Sequence, residues 1–247
     1  MRTRIQLLCV WAGPLFVVLF AISFWGIAGF IPPTAPTWSA DKVSAFYEAN
    51  RTEIRIGQLL GLISITLLFP WFAVITAQIA RIEGRQPVLA LMQFGAAVLL
   101  LVFFMLCCML WIAASFRPEL EPSTVRALHD LSWLVFVMVF PGYTLQMTCI
   151  ALAAFMDDSP RPIWPRWAGY FNLWVGLSGM GGGLAVFFKE GPFAWNGLIG
   201  FYVPIACFAI WIGVMTYLMH TGIKRQAAEE AASEAPGAES VPALSAA

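Results

Sequence analysis

Six long apolar stretches constrain this chain more than any other feature of its sequence. They cover approximately residues 7–30, 56–79, 88–114, 131–155, 168–188 and 198–219. None of the six contains Asp, Glu, Lys or Arg. A helix needs about 20 apolar residues to cross the hydrocarbon core of a bilayer, whereas a transmembrane β-barrel would show shorter strands of alternating polarity. We therefore predict an all-α fold, a polytopic bundle of six transmembrane helices.

The charge content excludes several other classes of protein. Only 11% of the residues are charged and the formal net charge is zero, whereas a soluble domain is about 25% charged. A nucleic-acid-binding protein would show a clustered basic excess, which this chain lacks. A hydrophobic fraction of 60% is too high for an intrinsically disordered chain. The lipid bilayer is therefore a predicted partner, and nucleic acid is not.

The connection between the first two stretches contains a predicted amphipathic helix at residues 39–53. Ser39 offers an N-cap hydroxyl. Val43, Phe46 and Tyr47 recur at helical spacing with charged residues between them. Such a helix lies in the membrane interface, either as a connector resting on headgroups or as a lid over a site.

Topology follows from the distribution of basic residues. With the N-terminus inside, eight of the 14 Lys and Arg residues lie on the inner side, and Arg2 and Arg4 flank the dominant first helix. We expect both termini to be cytoplasmic. The transmembrane domain spans residues 1–225, and residues 226–247 form a disordered tail because they lack an apolar face. The first stretch could instead be a signal peptide, but its apolar run is too long.

Polar side chains at the predicted outer rim and inside the spans form the candidate ligand-binding site. Polar groups in hydrocarbon are costly and need a reason. The candidate ligand-binding residues are Arg55, Gln58, His129, Asp130, Trp133, Gln146, Asn172, Lys189 and Asn196. The alternative is that they only make interhelical hydrogen bonds, and that Arg126 and Asp130, four residues apart, pair on one helix.

Prolines and glycines mark irregular points within the spans. Pro14, Pro70, Pro141 and Pro204 each remove a backbone hydrogen-bond donor and are expected to kink their helices. The fifth span is glycine-rich from Gly176 to Gly183. Glycines let helices approach closely, either within the bundle or against a partner, and a ligand-facing break is the alternative.

The sequence offers no convincing catalytic, metal or cofactor site. The two histidines, His129 and His220, are predicted at opposite membrane faces, so they cannot ligate one haem. Ser178 lies in a Gly-x-Ser-Gly pattern, but it is predicted more than about 10 Å in depth from His220, too far for a nucleophile and its base. We predict no catalytic residues, no metal and no cofactor, and lean away from an enzyme.

Two runs in the C-terminal half carry a resemblance. Residues 165–172 (PRWAGYFN) and residues 187–197 (FFKEGPFAWNG) resemble a group of bacterial multi-pass membrane proteins that has no established activity. The resemblance implies a location in the bacterial inner membrane and carries over no mechanism.

We therefore expect an integral membrane protein that binds a small, largely apolar molecule or lipid, or facilitates its passage. A mostly apolar pocket with a few polar groups suits such ligands. The alternative is a non-catalytic accessory subunit that packs beside a membrane enzyme or transporter through the Gly176 to Gly183 face. An integral membrane enzyme ranks third.

Overall fold

The computed structural model describes residues 2–234, and this part of the chain contains helices and turns only. The α-helices are α1 Arg2–Ala21, α2 Ala40–Ala49, α3 Arg51–Ile65, α4 Leu68–Glu83, α5 Val88–Phe116, α6 Pro122–Val137, α7 Phe140–Met156, α8 Arg166–Gly183 and α9 Val203–Glu234. Two π-helical segments, Ile22–Ile27 and Leu198–Tyr202, continue α1 and precede α9, and a 3-10 turn, Leu184–Phe187, follows α8.

The helices form a bundle that fits a multi-pass membrane protein. Among residues 2–234, five helical stretches are long and apolar enough to cross a membrane: Thr3–Ile27, Arg51–Glu83, Val88–Phe116, Pro122–Met156 and Leu198–Ala232. The helix predicted as the fifth span, α8, is not among the five. It has 18 residues, and its many glycines together with Asn172 lower its hydropathy.

Two of the five stretches consist of two helices joined by a break, as Pro70 and Pro141 predict, whereas Pro14 lies inside the unbroken helix α1. The break between α3 and α4 lies at residues 66–67, and the break between α6 and α7 at residues 138–139. Pro70 and Pro141 follow these breaks closely. Each lacks the N–H that would bond the carbonyl of the residue four positions earlier, so the helix cannot continue regularly there.

The glycines of α8 allow close packing inside this chain. A Cβ added to Gly182 would lie 2.1 Å from the carbonyl oxygen of Val137, and one added to Gly181 would lie 2.5 Å from that of Ile199. Gly179 and Gly183 would meet the rings of Tyr143 and Phe140. This face of α8 is therefore covered by the start of α7 and by the π-helical segment before α9.

The helix predicted at residues 39–53 is present but shorter. The side chain of Ser39 accepts a hydrogen bond from Lys42 N at 3.3 Å, so the N-cap is confirmed. The helix α2 ends at Ala49, and a turn at Asn50 separates it from α3. Residues 51–53, which we had placed in the interfacial helix, therefore belong to α3.

The disorder that we predicted from residue 226 does not begin there, because α9 continues to Glu234. Gln226 is buried and donates to Gln78 Oε1 at 2.9 Å. Arg81 pairs with Glu230 at 3.6 Å, and Arg161 with Glu229 at 3.3 Å. These contacts hold the last turns of α9 against the bundle. Residues 235–247 of the predicted tail lie outside the described residues.

The two ends of the bundle carry different sets of contacts. At one end, which we call the α2 end, α2 and the segment 28–39 lie over α6 and the loop between α8 and α9. At the opposite end, the carboxylate of Glu83 accepts the backbone N–H groups of Leu89 and Ala90 at 2.8 and 2.9 Å. That carboxylate satisfies donors at the start of α5 that have no intrahelical partner.

Candidate functional site

The nine residues predicted to bind a ligand do not converge on one site. Arg55 donates to the backbone carbonyls of Ser115 and Phe116. These carbonyls lie at the C-terminal end of α5, where the last C=O groups have no intrahelical donor and a positive charge is favourable. Arg55 therefore caps α5.

His129 is buried in a network that joins four segments at the α2 end. One ring nitrogen, Nε2, lies 2.8 Å from Thr34 Oγ1, and the other, Nδ1, lies 3.0 Å from the hydroxyl of Tyr47. Trp195 Nε1 donates to the carbonyl of Thr34 at 2.8 Å. We call Thr34, Tyr47, His129 and Trp195 the His129 network. It ties segment 28–39 and α2 to α6 and to the loop before α9.

Both ring nitrogens of His129 have a partner in this network. A neutral imidazole satisfies both contacts, because one nitrogen donates and the other accepts. Burial raises the pKa of the Tyr47 hydroxyl well above its usual value, and the nearby charge of Asp130 acts in the same direction. Tyr47 therefore keeps its proton. With both ring nitrogens occupied, His129 serves to fasten these segments.

Asp130 and Lys189 come together in what we call the charged pocket, a cavity of about 220 Å³ at the α2 end. Arg126 also lines this cavity, so it contains one carboxylate and two cations. No hydrogen bond or ion pair within 4 Å involves any of these three side chains among the described residues. The expected pairing of Arg126 with Asp130 is not observed.

Several of the remaining predicted residues are buried rather than exposed at a rim. Asn172 accepts from Trp211 Nε1 at 2.8 Å and donates to the carbonyl of Ala168, so its amide is satisfied. Gln58 and Gln146 are fully buried, and within the described part of the chain their amides have no hydrogen-bond partner. The Nε1 atom of Trp133 is likewise unpartnered.

Trp133 lies in an aromatic cluster with Phe24, Trp111, Phe136 and Phe201, at ring-centroid distances of 5.2 to 6.1 Å from it. Asn196 is half-buried in the loop before α9. Of the nine predicted residues, Asp130 and Lys189 line the charged pocket. The other seven do not line it: Arg55, Gln58, His129, Trp133, Gln146, Asn172 and Asn196.

A second cavity, whose position the sequence did not predict, is apolar and has a volume of about 340 Å³; we call it the central cavity. It lies between α1, the break between α6 and α7, and the start of α9. Its lining residues are Phe16, Val17, Phe20, Ala21, Phe24, Trp25, Ile31, Phe104, Phe136, Val137, Val139, Phe140, Tyr143, Gly179, Gly200, Phe201, Pro204, Ile205, Phe208 and Ala209. None of these side chains is charged.

Three irregular helix segments meet at the central cavity. They are the π-helical segment after α1, the break before α7 and the π-helical segment before α9. A π-helical turn is rare and often occurs at a functional site. The wide turns and the break leave room that regular helices would fill with side chains.

One side of the central cavity is open. Ala21 and Trp25, at its rim, are exposed, and the Trp25 side chain is 63% exposed. Both residues lie in or next to Thr3–Ile27, one of the stretches apolar enough to cross a membrane. The exposed part of the cavity wall therefore lies within a stretch that is apolar enough to cross a membrane.

One wall of this cavity has a recognisable sequence pattern. Phe16, Phe20 and Phe24 recur every four residues, which places their rings on one face of α1. Neighbouring rings stack with centroids 5.3 and 5.4 Å apart. The opposite walls come from segments far away in the sequence, and no local pattern shows that they meet this stripe.

The described residues contain no group of three or more His, Cys, Asp and Glu side chains placed to hold a metal ion. Ser178 donates to the carbonyl of Val175 at 2.7 Å. His220 packs edge-on against Trp11 at 6.0 Å between ring centroids. Neither residue contacts the other.

No family model, no curated protein and no solved structure matches this chain. The bacterial origin implied by the resemblance in the C-terminal half therefore stays a prediction.

Proposed function

We propose that this protein binds a small, largely apolar molecule or the chain of a lipid in the central cavity, and that the ligand enters sideways from the bilayer. The single observation that carries this proposal is an uncharged cavity of about 340 Å³ with an open, apolar rim. Ligand pockets span about 300–1,000 Å³ and are lined mainly by apolar and aromatic side chains. The only polar atoms that lining side chains offer belong to Tyr143 and Trp25.

The membrane arrangement belongs to the same proposal. We propose six crossings, with α8 as the fifth, because α8 and the turn Leu184–Phe187 extend from the opposite end toward the α2 end. We further propose a bacterial inner membrane with both termini cytoplasmic, which places the α2 end outside. This orientation is supported because eight of the 14 Lys and Arg residues, including Arg2 and Arg4, would then lie on the cytoplasmic side.

Photolabelling tests the proposal directly. The protein is reconstituted in vesicles that contain a phospholipid with a diazirine on its acyl chain, and labelled peptides are identified by mass spectrometry. We expect labelling of the cavity walls around Phe20 and Phe136, in addition to labelling of the exposed surface at Trp174, which is 72% exposed.

Matched variants on α9 separate cavity labelling from surface labelling. Ala209 lines the central cavity, whereas Ala206, one turn earlier, is exposed. The variant Ala209→Phe should reduce labelling near Phe20 and Phe136 about tenfold, equivalent to about 1.4 kcal/mol, and leave Trp174 unchanged. Ala206→Phe should change neither. Equal labelling of the cavity walls in both variants would contradict the proposal.

The accessory-subunit alternative depended on the glycine face of α8. That face packs against α7 and Leu198–Tyr202 of the same chain. A partner subunit would instead have to use the other face of α8, where Trp167, Tyr170 and Trp174 are exposed. Since exposed aromatic side chains equally suit contact with lipid, ligand binding remains the proposed function.

A further inference from the structure

The charged pocket holds three ionic side chains that are not used by the fold. Asp130 is half-buried, and Arg126 and Lys189 are exposed. No ion pair within 4 Å forms among these three side chains. Charges that surround a cavity of about 220 Å³ without pairing are available to an ionic ligand.

The wall of the charged pocket is firmly held. Trp195 is buried and lines the pocket, and its indole N–H donates to Thr34 in the His129 network. Asp130 directly follows His129 on α6. The buried wall of the pocket is therefore fixed in position, whereas the two cationic side chains, Arg126 and Lys189, are exposed.

One face of α6 contributes residues to both the charged pocket and the central cavity. Arg126, Asp130, Leu134 and Val137 follow each other at spacings of four, four and three residues, so they lie along one side of the helix. The first three line the charged pocket, and Val137 lines the central cavity. Leu134 and Val137 are one turn apart, about 5 Å along the axis.

We infer that the charged pocket binds the headgroup of an amphiphile whose chain occupies the central cavity, and that this headgroup carries a phosphate and a primary ammonium. Arg126 and Lys189 bind the phosphate, and Asp130 binds the ammonium. The inference rests on the proposed function, because it requires a chain in the central cavity.

The charge pattern selects this headgroup over others. A purely anionic headgroup would satisfy the two cations but lie against the carboxylate of Asp130, which repels it. A quaternary ammonium has the same charge as a primary one but no N–H to donate, so it cannot form the charge-assisted hydrogen bond to Asp130. Phosphoethanolamine meets all three side chains.

Native mass spectrometry of the delipidated full-length protein tests this assignment. Dioleoyl phosphatidylethanolamine, phosphatidylglycerol and phosphatidylcholine compete for binding, and soluble glycerophosphoethanolamine is added in a separate arm. We expect the ethanolamine lipid to bind about tenfold more tightly than the other two. The soluble headgroup should bind far more weakly than the lipid, because it lacks the chain.

Three variants connect the preference to the pocket. Asp130→Asn should abolish the preference for ethanolamine over glycerol. Arg126→Gln combined with Lys189→Gln should weaken all three phospholipids. The control Arg117→Gln alters an exposed arginine at the same end that pairs with Glu119 at 3.4 Å, and it should change neither the preference nor the affinity.

The outcomes separate this inference from the proposed function. Equal affinity for the three phospholipids, or a preference that survives Asp130→Asn, overturns the headgroup assignment. Binding of soluble glycerophosphoethanolamine as tight as that of the lipid overturns the amphiphile. If Ala209→Phe still suppresses cavity labelling in those cases, the proposed function stands. If the cavity walls are never labelled, both fail.

Discussion

The close approach of Gly182 to the backbone of Val137 gives a quantitative test of how α8 is held. We consider Gly182→Ala, which adds a methyl group 2.1 Å from the carbonyl oxygen of Val137. Ordinary van der Waals contact begins at 3.4 Å, so the methyl group would lie about 1.3 Å too close. The opposing atom belongs to the backbone and cannot rotate away. Overpacking of this kind costs about 1–3 kcal/mol.

A helical glycine also carries a propensity penalty that the substitution removes. Replacing glycine by alanine in a helix gains about 1 kcal/mol. We therefore expect Gly182→Ala to lower the free energy of unfolding by a net amount of up to about 2 kcal/mol. Gly95 in α5 is the matched control, because a Cβ there would meet nothing within 4 Å. Gly95→Ala should stabilise the protein.

Reversible unfolding in mixed detergent micelles, titrated with dodecyl sulfate, measures both variants on one scale. The two substitutions add the same methyl group to the same kind of helix, so the difference in unfolding free energy reports the contact with Val137 alone. If Gly182→Ala proves as stable as Gly95→Ala, the close approach of α8 to the break between α6 and α7 is refuted.

Two further substitutions test contacts at the α2 end. Tyr47→Phe removes the hydroxyl that contacts His129 Nδ1 at 3.0 Å, and leaving that nitrogen buried and unpaired should cost about 1–3 kcal/mol. We expect a lower melting temperature and faster proteolysis within residues 28–39, and no change for the exposed Tyr217→Phe; equal behaviour would exclude a fastening role. Arg55→Gln removes the guanidinium donors to Ser115 and Phe116 and should cost about 1 kcal/mol, since the site is partly exposed. Hydrogen exchange should rise at the C-terminal turn of α5 but stay unchanged in Arg85→Gln, which alters an exposed arginine at the opposite end of the bundle. Unaltered exchange in Arg55→Gln would contradict the capping role.

The helices were predictable because each is encoded locally. A run of apolar residues without charges predicts a membrane helix from its length. Pro70 and Pro141 predict helix breaks because proline has no backbone N–H to donate. The end of α9 was not predictable in this way. Its last turns are held by Gln78, Arg81 and Arg161, which come from other parts of the chain.

The candidate site was harder to predict than the fold. A polar residue such as Arg55 or Asn172 looks functional in a sequence, but the structure shows that each satisfies backbone or indole groups of neighbouring helices. Asp130 and Lys189 are brought together as expected at one rim. His129 is the neighbour of Asp130 on α6, but it contacts Thr34 and Tyr47 instead of the charged pocket. This difference arises because successive residues of a helix point in different directions.

The sequence did not predict the central cavity because the cavity forms where segments that are distant in the sequence pack together. Each lining residue is an ordinary apolar residue of a membrane helix. What makes a cavity is that two π-helical turns and one proline break face each other. Helix registers and wide turns arise from packing, and the sequence pattern does not contain them.

The convergence of these irregular segments has a consequence for exchange kinetics. A regular helix resists bending because each turn is tied by its own backbone ladder, whereas wide and broken turns bend with less loss of hydrogen bonding. The ends of α1 and α9 can therefore pivot at Ile22–Ile27 and Leu198–Tyr202 while their remaining turns stay intact. Binding and release of a ligand in the central cavity would then follow local hinge motions on the microsecond to millisecond scale. The residence time of the ligand would be set by these hinges rather than by the stability of the whole bundle.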